Sequence, residues 1–291
     1  MSMSTAAVKI GCYHCQQKLD VSEVEAFTRI SCPNCETELI VPRPFGELLL
    51  EEDIGSGSIC HVYRSMDLTL DREIAVKILS QEYAEREGVA TDFISEARST
   101  SAINHPNVVP IFTCGEMEGK TYFTMQFMSG RSLKERINGL KSNAERDVAQ
   151  WFREAAQGLE SAYVQGVMNR DIKPSNILLD IDGNIKVADF GLTAAVRGDK
   201  PLLQDGQARE GLTLDECYYV SPERASTGKQ DLAGDIYSLG ASMYHVLCGV
   251  PPFDNESPTD NLQARLSNKP KPPHEVNDQI SPATSELVTA M

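Results

Sequence analysis

The sequence predicts an α+β chain in three parts: a short cysteine-bearing module, a small strand-rich unit and a larger helical unit. Three patterns predict it. Two Cys-x-x-Cys pairs, Cys12 with Cys15 and Cys32 with Cys35, lie close together near the start. Ile74, Val76 and Ile78 alternate with Ala75, Lys77 and Leu79, which is the period of a strand. Val148, Trp151, Phe152, Ala155, Ala156, Leu159, Ala162 and Tyr163 recur at the helical period and form one stripe.

Composition narrows the function classes. Of 291 residues, 41% are hydrophobic and 24% charged, an ordinary globular balance. Lys+Arg 27 against Asp+Glu 42 gives a net charge of -15. That argues against a broad nucleic-acid surface, which needs clustered cations, and against docking on an anionic membrane. No stretch approaches the roughly 18 apolar residues of a membrane span. Met1 to Lys9 lacks the apolar core of a signal peptide. The expected location is the cytoplasm.

In chain order, residues 1–7 read as a flexible N-terminus and residues 8–42 as the first module. Two Cys-x-x-Cys turns can hold four sulfurs about 2.3 Å from one tetrahedral zinc ion. Closing that site joins two knuckles and supplies folding energy that so few residues cannot gain from a core. A redox dithiol needs a βαβ context, which is missing here. The module resembles the zinc-ribbon family over its whole length, with Cys12, Cys15, Cys32 and Cys35 as ligands. Lys9, Lys18, Arg29 and Arg43 are balanced by Asp20, Glu23, Glu25, Glu36 and Glu38, so a structural or protein-docking role is expected of it. Residues 43–46, with Pro42 and Pro44 nearby, read as a stiff linker. Residues 47–128 form the strand-rich unit, interrupted by a helix from about Val89 to Ile103. Residues 129–291 form the helical unit. Within it, Asp182-Gly183 suits a hairpin turn between Ile177–Leu179 and Ile185–Val187, and Asp235 to Cys248 reads as a buried helix.

Several residues point to phosphate chemistry. Gly55 and Gly57 sit between two strands, where backbone N–H groups can approach phosphate oxygens. Lys77 shares a strand face with Ala75 and needs an anionic partner there. Glu96 shares a helical stripe with Phe93, Thr100 and Ile103 and is costly unless paired. The two residues answer each other, leaving Lys77 aimed at a nucleotide phosphate. Further on come Asn169-Arg170-Asp171-Ile172-Lys173-Pro174-Ser175-Asn176 and Asp189-Phe190-Gly191, then Tyr219-Val-Ser-Pro-Glu223 and Asp235-Ile-Tyr-Ser-Leu-Gly240.

From about Glu47 onward, these motifs in this order resemble the eukaryotic-type protein kinase family in its bacterial serine/threonine branch. The resemblance implies a bilobal kinase fold and ATP-dependent phosphoryl transfer to serine or threonine hydroxyls of a protein substrate. It implies that Asp171 orients the hydroxyl and accepts its proton, that Lys173 stabilises the transferred charge, and that Asn176 and Asp189 hold Mg²⁺. It places adenine between Ile54, Val62 and Ala75 on one side and Leu178 on the other. Met125 takes the gatekeeper position, and Gln126 to Met128 the hinge.

Four departures qualify the resemblance. Cys60 replaces the third glycine of the phosphate loop. Asn169 replaces the usual histidine before Arg170. Asp215 and Glu216 stand where the family has Gly-Thr, so a carboxylate is expected beside Asp171, competing for Lys173. The 291 residues end in what resembles a late helix, without the arginine that pairs with Glu223 in the family. Losing the partner of a buried charge costs about 3–5 kcal/mol. Thr193 and Thr213 are candidate phosphorylation sites facing Arg170. The alternative to an active enzyme is a nucleotide-binding scaffold, with the ribbon as a protein-docking module.

Overall fold

The computed structural model describes residues 8–57, 59–139, 145–191, 198 and 200–291. The expected flexible N-terminus, residues 1–7, lies outside them. The chain divides into two compact units: Met1–Ala90 with Ile111–Phe127, and Thr91–Pro110 with Met128–Met291.

The first unit opens with two small hairpins, β1 (Lys9–Gly11) with β2 (Lys18–Asp20), and β3 (Arg29–Ser31) with β4 (Glu38–Ile40). Between the strands of each hairpin sits a cysteine knuckle of the same design. Gln16 donates to Cys12 O and Glu36 to Cys32 O, while Cys12 and Cys32 donate to the carbonyls of Gln17 and Thr37. Gln16 and Glu36, one residue past each Cys-x-x-Cys pair, have φ values of 60° and 61°.

A six-stranded antiparallel sheet follows: β5 (Arg43–Phe45), β6 (Leu48–Ser56), β7 (Cys60–Asp67), β8 (Arg72–Leu79), β9 (Ile111–Met117) and β10 (Lys120–Gln126). Its spatial order is β5-β6-β7-β8-β10-β9. Residues 43–45 are therefore not a linker but the edge strand of this sheet, pairing with Leu48–Leu50. The reason is Phe45, which is completely buried and meets Tyr122 edge to face at 5.3 Å. Pro44 is tolerated because an edge strand has a side that needs no N–H donor. Gly46, at φ 56°, turns the chain into β6.

The sheet has two distinct faces, as the period-two pattern requires. Phe45, Leu48, Leu50, Ile74, Val76 and Ile78 form a buried cluster on one face, with Phe27, Tyr63, Met117 and Tyr122 packed against it. The other face carries Val62, Ala75, Lys77 and Met125, as the pairs Val62–Lys77 and Ala75–Met125 show.

The second unit is helical around one core. Helix Val89–Ser101 is followed by Leu133–Gly139, the long Glu145–Val164 and the apolar Leu232–Cys248. Val148, Trp151, Phe152, Ala155, Leu159 and Ala162 bury the stripe read from the sequence. Ala156 and Tyr163 fall outside it, exposed to solvent, and Gly158 is buried instead. Strands β11 (Ile177–Leu179) and β12 (Ile185–Val187) form the expected hairpin. The Asp180 carboxylate closes its turn by accepting from the N–H groups of Asp182 and Asn184 at 2.9 and 2.8 Å. Four helices, beginning at Pro222, Leu232, Pro258 and Pro282, are capped by the side chains of Ser221, Asp231, Ser257 and Ser281.

Glu223 corrects an expectation. It is exposed in the first turn of helix Pro222–Thr227, so no buried charge is orphaned in these residues. The segment before it is held another way. Arg265, 4% exposed, donates to the carbonyls of Cys217, Tyr218 and Val220 and to Asn261 Oδ1. Glu223→Gln should therefore shift unfolding free energy by less than about 0.5 kcal/mol, the surface norm, in a urea titration. A loss of about 3 kcal/mol would restore the buried-pair expectation.

Candidate active site and metal centre

The second unit places Asn169 to Asn176 on a loop strapped to a buried carboxylate. Asp235, 3% exposed near the start of helix Leu232–Cys248, accepts from the backbone N–H of Asn169 and of Arg170, both at 2.9 Å. Gln230 Nε2 adds a third bond at 2.8 Å. Burial pushes the Asp235 carboxyl up, and these donors oppose that shift. Arg170 is held at φ 63°, a left-handed conformation that costs energy in a non-glycine residue and turns the following side chain out of the loop.

Asp171 emerges from that turn already oriented. Its backbone N donates to Asn169 Oδ1 at 3.1 Å. Its Oδ2 accepts from Lys173 Nζ at 2.9 Å and from Asn176 Nδ2 at 3.1 Å. Asn176 Nδ2 also reaches Asp171 O at 2.9 Å. With its amide nitrogen so engaged, Asn176 keeps Oδ1 as an oxygen for a hard cation. Ala188 donates its N–H to Asn176 O at 2.9 Å, which sets Asp189 one residue from that point. Burial alone would lower the Lys173 ammonium. Asp171 beside it, with Asp189 and Asp215 adding their fields, holds it above the ordinary lysine value.

Asn169 does more than fill the histidine position. It is 1% exposed, and its amide both donates to Ala188 O at 3.1 Å and accepts from Asp171 N. Its backbone carbonyl accepts from Gly191 N at 2.8 Å. One side chain thus ties the Asp171 loop to the Asp189 loop. Asn169→Ala should cost about 1–3 kcal/mol, because two buried backbone groups lose their partner. Thermal unfolding measures this, and a change under about 0.5 kcal/mol would mean the bridge is dispensable.

Glu96, half-buried on helix Val89–Ser101, lines a cavity of about 330 Å³ with Ser99, Ala102, Gln165, Met168 and Arg170. Burial pushes its carboxyl up, and the charge of Arg170 works against this. Its carboxylate also lies against Gly191, at φ 68°, where an added Cβ would overlap it. The two carboxylates expected to crowd Lys173 have other partners. Asp215 accepts from Lys134 Nζ at 2.6 Å. Glu216 forms a capping box with Thr213: its Oε2 accepts from Thr213 N at 2.9 Å, and its own N donates to Thr213 Oγ1. Thr213 thus caps a helical turn, while Thr193 lies outside the described residues. Met128 and Leu178 are both half-buried in this unit.

The first unit carries the other expected residues. Lys77, Ala75, Val62 and Met125 share the other face of the sheet, where Ala75, Lys77 and Met125 are buried and Val62 half-buried. Gln126 ends β10. Ile54 is 45% exposed and Gly55 and Gly57 are exposed beside it, while Cys60 is buried at the start of β7. Gly57 N donates to Cys60 O at 2.9 Å and closes the loop.

At the other end of this unit, Cys12, Cys15, Cys32 and Cys35 bring four sulfurs within 4.8 Å of one another. Cys12 Sγ lies 3.5 Å from Cys35 Sγ, and Cys15 Sγ 3.6 Å from Cys32 Sγ. The side chain of Asn34 and the N–H of Gln17 pull the Cys15 thiol down to about 6. Burial pushes Cys32 up to about 11. Four soft donors converging from two matched knuckles fit one tetrahedral zinc ion.

Sequence reading missed three parts of this arrangement. Asp235 was read as part of a buried helix and of a family motif but not as the anchor of the Asn169–Arg170 backbone, although a carboxylate there needs donors and so was detectable. The bridging role of Asn169 and the Lys134–Asp215 pair depend on contacts distant in sequence, which no local pattern carries.

Comparison with known proteins agrees with this geometry. The family described as "Protein kinase domain" matches residues 48–291. Serine/threonine-protein kinase PrkC of Bacillus subtilis is 34% identical over 256 residues, covering 85% of this chain and 39% of that protein. Serine/threonine-protein kinase PknL of Mycobacterium tuberculosis is 32% identical over 240 residues, covering 82% of this chain and 59% of that protein. The solved PknI kinase domain of Mycobacterium tuberculosis matches with a TM-score of 0.63 over 85% of this chain and 87% of that one, at 20% identity, which speaks for the fold alone. The chain spans less than two thirds of the length of these curated relatives. A match over most of the residues, on both the strand-rich and the helical unit, shows that this chain belongs to the protein kinase domain family, in its bacterial serine/threonine branch.

Proposed function

We propose that this chain transfers the γ-phosphoryl group of ATP to serine or threonine hydroxyls of a protein substrate. The observation that carries the reading is the Asp171–Lys173–Asn176 cluster, in which one carboxylate oxygen is held by an ammonium at 2.9 Å and an amide at 3.1 Å. Asp171 accepts the hydroxyl proton as the bond to phosphorus forms. Lys173 neutralises charge on the moving phosphoryl group. Asn176 Oδ1 and the Asp189 carboxylate would hold Mg²⁺, which would supply charge neutralisation at the phosphates. Lys77 meets the phosphates beneath Gly55 and Gly57. For the adenine, the first unit offers Ile54, Val62, Ala75, Met125 and the backbone of Gln126 and Phe127, and the second offers Leu178 and the backbone of Met128.

The scaffold alternative drew on Glu216 competing for Lys173 beside Asp171. The capping box that Glu216 forms with Thr213 speaks against it. A structural zinc ion at Cys12, Cys15, Cys32 and Cys35 completes the reading. Giving four of the eight cysteines to a metal suits a reducing compartment such as the cytoplasm. Among the described residues, no helix is long and apolar enough to cross a membrane. The test is transfer of labelled γ-phosphate to a basic protein such as histone, with Mg²⁺ present. Binding of ATP without transfer by the native chain would favour the scaffold.

A further inference from the structure

The ribbon has no assigned partner, yet one of its residues leaves the module. Phe27, in the turn between the two knuckle hairpins, is held at φ 65° with its N–H on Val41 O at 2.6 Å. That conformation is rare for an aromatic residue and points to an outside contact that over-determines it. The contact is Tyr63 of β7. The two rings stack 5.4 Å apart at 13°. Tyr63 in turn stacks on His61 at 6.3 Å and 23°. His61 Nδ1 lies 3.8 Å from Asp53 Oδ2, and Asp53 Oδ1 accepts from Gly55 N at 3.1 Å. His61 also pairs with Ser56 across the loop.

These contacts run unbroken from the ribbon to the glycine loop along one face of the sheet. Val62, between Tyr63 and His61, points to the opposite face, the one that carries Lys77. The ribbon is also joined to the edge by the short path from β4 to β5, so its position relative to the sheet is fixed at two points.

We infer that the docking partner of the zinc ribbon is this chain's own sheet, and that Phe27 is a positioning residue which sets the Gly55–His61 loop through Tyr63 and His61. The inference rests on reading that loop as the phosphate-binding one. It assigns the ribbon a task in nucleotide binding without any contact with the nucleotide.

The test compares the native chain with Phe27→Ala, Phe27→Tyr and Tyr63→Leu, all zinc-loaded. Calorimetric binding of Mg-ATP and the KM and kcat of transfer are read, together with amide exchange of residues 53–63. Phe27→Ala and Tyr63→Leu should each weaken Mg-ATP binding about 3- to 10-fold, the range of a stacked aromatic pair, with kcat within twofold. Zinc content should stay at the native level, and exchange over 53–63 should quicken. Phe27→Tyr, which keeps the ring, should restore both readings. Unchanged exchange and ATP affinity in Phe27→Ala would overturn the inference, as would a fall in kcat with the KM for ATP held. Should Phe27→Ala fail to fold, Tyr63→Leu reads the same link from the other side. If the native chain binds no Mg-ATP, the phosphate-loop reading fails instead, and exchange alone then decides whether Phe27 holds the loop.

Discussion

Asp171→Ala should lower phosphoryl transfer by about 10²- to 10⁴-fold, the range for removing a positioned general base. Mg-ATP affinity should change little, because Asp171 is assigned the hydroxyl and not the metal. The surrounding structure supports a clean loss. The loop is fixed from behind by Asp235, through the N–H groups of Asn169 and Arg170. Those bonds do not involve the Asp171 side chain, so the substitution leaves the scaffold standing. Two groups do lose their partner: Lys173 Nζ and one bond of Asn176 Nδ2. Lys173 is half-buried, and water can replace the lost oxygen there. The measurement is kcat, KM for ATP and thermal midpoint on one preparation. Transfer within tenfold of native would remove Asp171 from the chemistry. A collapse of the thermal midpoint with rate would make it a structural residue.

The contrast with Asn169 shows what a sequence can and cannot reveal here. Asp171, Lys173, Asn176 and Asp189 were legible because their spacing is short and their chemistry is specific. Asn169 was legible as a departure but not as a bridge, since its partners Ala188 and Gly191 lie some twenty residues on and meet it only through the fold. The sheet face bearing Val62, Ala75 and Lys77 followed from strict alternation. Residues 43–45 misled for an equally physical reason. Pro42, Pro44 and Gly46 carry a turn signature, yet a proline on an edge strand disturbs no ladder bond, and burying Phe45 outweighs the local preference. Glu223 misled in the opposite direction: a family habit of burial was carried onto a residue that is exposed in this chain.

Removing metal from the ribbon should unfold the module while the sheet beside it stays folded. Its sulfur-centred cluster is small: Cys12, Cys32 and Leu39 are buried in it, with Ile10, Leu19 and Ile30 packed partly against them, and Val21 and Val41 are buried beside it. Two three-residue hairpins cannot stand on that. Structural zinc contributes on the order of 10–16 kcal/mol in comparable small sites, more than such a module can lose and remain ordered. The six-stranded sheet has its own cluster around Phe45, Leu50 and Val76, each fully buried, and does not depend on the sulfurs. Cys32→Ser, which removes a buried ligand, should therefore abolish stoichiometric zinc. Backbone exchange should become fast over residues 9–40 and should quicken over 53–63, where Tyr63 loses Phe27, while the rest of β6 to β10 stays protected. A chelator acting on the native chain should give the same map. Retained protection over both hairpins in metal-free protein would mean that docking through Phe27 and β5, and not the metal, holds the ribbon together. Loss of protection across the whole sheet would mean that the ribbon and the strand-rich unit fold as one cooperative body.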